Sequence, residues 1–72
     1  MKLLILRTDI KTKKKVKVLK HVFNNHPVIT KWSVDTDDID NVLRIEAKKE
    51  LKEKDIIHLI KAHGFYGEVL TY

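Results

Sequence analysis

The pattern of apolar and polar residues in the first part of the chain predicts a strand followed by a helix. Residues 3–6, LLIL, form a short continuous apolar run of the kind found in a central strand. Val16, Leu19, Val22 and Phe23 then recur at the spacing of one helix face, with lysines on the other side. The sequence NNHP ends this helix, because asparagine suits a C-terminal cap and proline cannot continue a helix.

The second half of the chain predicts a hairpin, a helix and a final strand. Two alternating segments, VITKWSVD and VLRIEAK, flank the turn-rich TDDIDN. Each strand is expected to place three residues on one face: Thr30, Trp32 and Val34 in the first, and Leu43, Ile45 and Ala47 in the second.

Residues 51–63 predict an amphipathic helix. Its inward side chains are expected to be Ile56, Leu59 and Ile60. Gly64 stands where a left-handed C-terminal cap belongs, and FYGEVLTY then supplies the last strand.

The element order is therefore βαββαβ, which predicts an α+β ferredoxin-like sandwich with two helices on one face of a four-stranded antiparallel sheet. No linker or repeat interrupts the pattern, so residues 1–72 are expected to form a single domain. The opening MKLLIL is too short for a signal peptide or a membrane span, which predicts a soluble, cytoplasmic protein without a membrane partner. The absence of cysteine removes disulfides, thiolate metal sites and cysteine nucleophiles.

The net charge of +5 is distributed unevenly. Eight of the 15 Lys and Arg residues lie within residues 1–20, where Asp9 is the only acid. Four acids follow each other closely in the connector between the hairpin strands, at Asp35, Asp37, Asp38 and Asp40. Such a split favours an acidic partner for one end of the molecule, or head-to-tail self-association. Two solvated loops would account for it equally well.

Three segments together resemble the heavy-metal-associated domain, the small fold of copper chaperones and of soluble domains on metal-transporting ATPases. DIIHLIKAHGFYGEVL is similar to the family's second helix, its glycine–aromatic end and its last strand, and WSVDTDD followed by VLRIEA is similar to its hairpin. TDIKTKKKV is similar to a variant of the family's metal loop, T-N-I-K-C-x-x-C-V. On this alignment Ile10 replaces the buried loop methionine, and Thr12 and Lys15 replace the two cysteines.

The loss of both cysteines changes the chemistry that the resemblance implies. In the family two thiolates hold one soft ion, often Cu(I). Thr12 instead offers a hydroxyl, which is expected to cap the helix by accepting a backbone N–H. Lys15 offers an ammonium, which has no lone pair and repels a cation. We therefore expect degenerate metal positions at Thr12 and Lys15, and neither a resident metal nor a cofactor.

Histidine does not restore a helical metal site. His21 and His26 are five residues apart, as are His58 and His63, whereas a spacing of three or four places two rings on one helix face. A weak site for a hard or borderline ion, built from histidines and carboxylates of different elements, stays open. It gives the alternative function, a weak metal-ion carrier in metal homeostasis.

Two other function classes are disfavoured. RNA-recognition domains of this topology stack bases on aromatic residues of the two central strands, but LLIL and VLRIEA contain none. Trp32 alternates with Val34 and is expected to point into the core. The chain also has no glycine-rich phosphate loop and no nucleophile in a plausible setting. We predict that it is not an enzyme and that nucleic acid is not its partner.

These observations favour a non-catalytic interaction module that binds an acidic protein through a basic loop and helix surface. The family's relatives use the same surface to meet partner proteins, and the family's aromatic after glycine implies that Phe65 lies beside the loop. The predicted partner-binding residues are Lys11, Lys13, Lys14, Lys15, Lys17 and Phe65.

The open face of the sheet is a second candidate contact surface. If Leu4 and Leu6 face the helices, Leu3 and Ile5 point away from them and would support a weak homodimer. The aliphatic stems of neighbours such as Arg44 would cover them in a monomer.

Overall fold

The computed structural model describes residues 2–48 and 50–70, which form four strands and two helices in the predicted order. In chain order these are β1 (Lys2–Thr8), α1 (Lys13–Asn24), β2 (Ile29–Asp35), β3 (Val42–Ala47), α2 (Glu53–Lys61) and β4 (Gly67–Val69). The strands pair antiparallel in the order β2-β3-β1-β4. Neither described helix has the length and apolar content needed to cross a membrane.

Both helices cover the same face of the sheet, because alternate strand residues and one face of each helix share a core. The strands contribute Leu4 and Leu6 of β1 and Leu43, Ile45 and Ala47 of β3; the helices contribute Leu19, Phe23, Ile56 and Ile60. The α+β ferredoxin-like sandwich predicted from the sequence is thereby confirmed. Since β1 and β3 are the two central strands, each pairs with a neighbouring strand on both sides.

Trp32 of β2 points to the helix side of the sheet, as its alternation with Val34 predicts. Its ring meets Phe23 edge to face, with centroids 5.1 Å apart. Its indole N–H donates a hydrogen bond to the side-chain oxygen of Asn24 at 2.9 Å, which joins β2 to the end of α1.

Three details of the elements differ from the sequence prediction. The pairing of β2 with β3 shifts between Ile29 and Lys31, so Thr30 lies at the irregularity and is exposed instead of facing inward. Helix α2 begins at Glu53 and not at residue 51, because the Asp55 carboxylate accepts the backbone N–H of Lys52 and fixes the start there. Leu59 is only half-buried and lies at the edge of the core.

The C-terminal part of the chain turns tightly between α2 and β4. Gly64 has φ +85°, so the predicted left-handed cap is confirmed. Gly67 permits a close approach, because a Cβ built there would lie 2.7 Å from Cδ1 of Ile60. Within the described residues the last strand ends at Val69; positions 71 and 72 of the predicted strand FYGEVLTY lie outside them.

Candidate interaction site

The loop between β1 and α1 is anchored by Thr8 and Ile10. The Thr8 hydroxyl donates to the carbonyl of Asn41 at 2.7 Å and accepts the backbone N–H of Ile10 at 3.2 Å. Ile10 is fully buried in the core. The buried Ile10 side chain and the hydrogen-bonded Thr8 hydroxyl therefore hold the start of the loop in place. Lys11 and Thr12, which follow, are exposed to solvent.

Thr12 is the N-cap of α1, as predicted. Its side-chain oxygen accepts the backbone N–H of Lys15 at 3.2 Å, which satisfies one of the free donors of the first turn. The two positions aligned with cysteines are thus adjacent in space. One serves the helix as a hydrogen-bond acceptor, and the other carries an exposed ammonium.

Five exposed lysines surround this cap and are called the lysine cluster below: Lys11, Lys13, Lys14, Lys15 and Lys17. The first turn of α1 contains no acidic residue. Across residues 2–48 and 50–70, no carboxylate lies within ion-pair distance of any lysine of the cluster. The three in the first turn, Lys13, Lys14 and Lys15, therefore oppose the positive end of the helix dipole, and no ion pair among the described residues offsets them.

The segment containing Phe65 is joined to the same loop. The backbone N–H of Asp9 donates to the carbonyl of Tyr66 at 3.2 Å, and the Asp9 carboxylate accepts the backbone N–H of Tyr66 at 2.9 Å. Phe65 itself is half-buried against the core, and its backbone N–H donates to Ile60. Phe65 is therefore partly exposed, next to a residue that is bonded to the loop.

The acidic connector between β2 and β3 lies at this same end of the sheet. The backbone N–H of Thr8 donates to the carbonyl of Asp40 at 3.0 Å, and the Asp40 carboxylate pairs with Arg7 at 3.0 Å. The fold thus places segments of opposite charge, which are far apart in sequence, around one end of the molecule.

A network of polar side chains lies on the open face of the sheet, the face that the helices do not cover. Arg7 pairs with Glu68 at 3.3 Å as well as with Asp40, and Glu68 accepts the hydroxyl hydrogen of Tyr66 at 2.7 Å. The hydrogen bond to Glu68, together with its negative charge, raises the pKa of Tyr66 above its ordinary value. Part of the open face is therefore occupied by paired charges.

Leu3 and Ile5 do point out of this open face. Leu3 is 57% exposed, whereas Ile5 is half-buried and lies opposite Arg44 in the strand register. A single exposed leucine is ordinary on a monomer surface. The weak homodimer stays a prediction.

The histidines lie in or just after the last turns of the two helices: His21 and His26 at the end of α1, and His58 and His63 at the end of α2. His26 accepts the backbone N–H of Val28 through Nδ1 at 3.2 Å, a structural role. Among the described residues, no three His, Asp or Glu side chains are grouped closely enough to hold a metal ion.

A groove next to the lysine cluster was not foreseen from the sequence. It has a volume of about 360 Å³ and runs between the loop, α2 and the segment before β4. Its lining residues are Asp9, Ile57, Lys61, Phe65 and Tyr66, together with Gly64 and Gly67. The four-residue spacing of Ile57 and Lys61 places them on one helix face, but only the folded chain brings that face to the loop.

Comparisons with known proteins agree with the fold. No protein-family profile and no curated protein matches the chain. A chain in the solution structure of the Atx1–Cu(I)–Ccc2a complex superposes with a TM-score of 0.84 at 17% identity, covering 99% of this chain and 97% of that one. A second, from a structure concerned with crosstalk between Cu(I) and Zn(II) homeostasis, gives a TM-score of 0.80 at 10% identity, covering 97% of this chain and 100% of that one.

At these identities the similarity establishes the fold. It supports the resemblance to heavy-metal-associated domains at that level and carries no ligand over to this chain. The sequence contains no cysteine. This chain therefore has the ferredoxin-like architecture that the resemblance to heavy-metal-associated domains implies.

Proposed function

We propose that this chain is a non-catalytic protein-interaction module whose lysine cluster binds an acidic protein. The observation that carries the proposal is the concentration of five exposed lysines, without ion-pair partners among the described residues, around the positive end of α1. This arrangement costs the fold stability, since cations at a helix start are unfavourable by about 0.3–1 kcal/mol each at low salt. An acidic partner would supply the missing compensation.

The comparisons support a protein as the partner. The similar Atx1 structure is a complex with another protein, and its fold matches this one over nearly the whole chain. Phe65 is half-buried beside the loop and adds an accessible apolar surface to the cationic one. A single domain over residues 1–72 and a cytoplasmic location remain parts of the proposal.

The alternative, a weak metal-ion carrier, has less support. A carrier needs several ligands in one place, and the described histidines and carboxylates do not form such a group. Titration with Zn(II), Cu(I) and Cu(II), followed through backbone amide shifts, separates the two functions. Localised, saturable shifts near histidine or aspartate residues would favour the carrier, and their absence would leave the interaction module.

The proposal is tested by affinity capture followed by measured binding of the purified partner. The test variant carries Lys13→Glu, Lys14→Glu and Lys15→Glu. The matched control carries the same three changes at exposed lysines outside the cluster, namely Lys31, Lys48 and Lys54. Both variants change the net charge equally, so only the location of the charge differs.

We expect the wild type and the control to retain the partner and the cluster variant to lose it, with binding weakened by salt. Equal loss in both variants would indicate attraction by net charge alone and would contradict a defined site. Equal retention in both would show that the lysine cluster is not the binding surface.

A further inference from the structure

The groove beside the lysine cluster combines an apolar floor with charged residues at its sides. Ile57 and Phe65 are half-buried and give the floor its apolar surface, and Lys61 lines one side. On the other side is Asp9, whose backbone and carboxylate are both bonded to Tyr66. Lys11 is two residues further on, so its Cα lies at most about 7 Å from that of Asp9.

The charges around the groove favour an acidic occupant. The Asp9 carboxylate already accepts the backbone N–H of Tyr66, and Glu68 pairs with Arg7 and accepts the Tyr66 hydroxyl. Lys61 and Lys11 are exposed, and among the described residues neither they nor Asp9 has an oppositely charged side chain within ion-pair distance. Asp9 and Lys61 balance each other among the lining residues, so the positive excess near the groove comes from the lysine cluster, which begins at Lys11.

The size of the groove limits what binds in it. About 360 Å³ is near the lower end of the range for small-molecule pockets, roughly 300–1,000 Å³, and the groove opens to solvent beside an extended charged surface. It therefore has room for a bulky side chain or two.

We propose that this groove binds one bulky apolar side chain of the acidic partner, so that the recognised segment is a run of Asp or Glu residues interrupted by a Phe or Leu. This inference rests on the proposed function and specifies its partner. The lysine cluster and Lys61 attract the carboxylates, and Ile57 and Phe65 contact the apolar side chain. The acidic residues then set the rate of encounter, and the apolar residue sets how long the complex lasts.

The test uses three labelled peptides of equal length with the full 72-residue chain. The first is acidic with a central Phe, the second has Ser in place of the Phe, and the third keeps the Phe but has Gln in place of every acid. Binding is measured by fluorescence anisotropy at low and at high salt. Amide shifts of the unmodified protein then map where each peptide binds.

We expect the first peptide to bind about tenfold more tightly than the second, since partial burial of one aromatic contributes about 1.4 kcal/mol. Amides of Ile57 and Phe65 should shift with the first peptide and not with the second, whereas the Lys61 amide should shift with both. Ile57→Ala should remove the difference between the two peptides. Leu59→Ala, a comparable truncation of a half-buried residue on the same helix but outside the groove, should preserve it.

Equal binding of the first two peptides would overturn the groove inference and leave the lysine cluster as the acidic-partner site. Equal binding of the first and third would overturn the acidic character of the occupant. If no peptide binds at millimolar concentration, the groove inference is wrong; the proposed function would still be decided by the charge-reversal variants.

Discussion

The hydroxyl of Thr12 accepts the backbone N–H of Lys15 at 3.2 Å, which brings together the two positions that align with a pair of metal-binding cysteines. Thr12 is a favourable N-cap, because its oxygen satisfies a free donor of the first helical turn. Lys15, at the third helical position, places a positive charge where an acidic residue would stabilise the helix. One position thus supports the fold, and the other opposes it.

The first prediction is that Lys15→Glu stabilises the chain. A glutamate three residues after a threonine cap would form a capping box and interact favourably with the helix dipole. We expect the free energy of unfolding to rise by about 1 kcal/mol at low salt. Urea unfolding followed by Trp32 fluorescence measures it.

Lys20→Glu is the control, because Lys20 lies in the second half of α1, beyond the reach of the N-terminal dipole. It should give no gain. A loss of stability on Lys15→Glu would show that the lysine contributes to the fold, and would remove the argument that the lysine cluster is kept for binding.

The second prediction concerns the cysteine positions. Replacement of Thr12 and Lys15 together by cysteine should create a Cu(I) site, because two thiolates are soft ligands and the helix start lowers their pKa. Competition with a coloured Cu(I) chelator measures binding at one ion per chain. The double change of Thr12 and Lys15 to serine removes the ammonium without adding thiolates and should not compete. Failure of the cysteine variant to take Cu(I) from a weak chelator would show that the loop differs from the family's metal loop in more than its ligands.

The third prediction is that Gly67→Ala destabilises the packing of β4 on α2. A Cβ at this position would lie 2.7 Å from Cδ1 of Ile60, a side chain that is fully buried and cannot turn away freely. Such overpacking typically costs about 1–3 kcal/mol. Chemical unfolding of the single variant measures the loss.

Ile60→Val removes that Cδ1 and costs about 0.5–1.5 kcal/mol alone. The double variant should lose less than the two changes combined, because the overlap is gone. If the losses in free energy of unfolding are additive, Gly67→Ala destabilises the chain through the backbone and not through the contact with Ile60.

The fourth prediction concerns the titration of Tyr66. The hydrogen bond to Glu68 and the carboxylate charge raise the pKa of Tyr66 above 10.0. A raised pKa means that the folded chain holds this proton more tightly, so the contribution to stability is present below pH 10 and is lost as the pH rises through the raised pKa. Ultraviolet difference spectra of tyrosinate formation, wild type minus Tyr66→Phe, isolate this residue. Glu68→Gln should return its pKa towards the ordinary value; an unchanged titration would mean that the bond does not persist in solution.

The sequence by itself determined the order of the elements, the main core residues and the helix cap. These depend on local spacing and on the conformational limits of particular residues: apolar residues two or three to four positions apart, the hydroxyl of Thr12, and the freedom of Gly64 to take a positive φ. The absence of cysteine is likewise evident from the sequence alone. The prediction that Thr30 shares a face with Trp32 and Val34 was wrong, because a strand irregularity depends on pairing with β3, which alternation along one strand does not reveal.

Only the tertiary structure decided which surfaces lie together. The antiparallel pairing of β1 with β3 brings the acidic connector beside the lysine loop, although about 25 residues separate them in sequence. The groove forms because hydrogen bonds between Asp9 and Tyr66 join two segments that lie near opposite ends of the sequence. Such neighbours depend on long-range backbone pairing, and that pairing is fixed by the shared core and not by any local pattern.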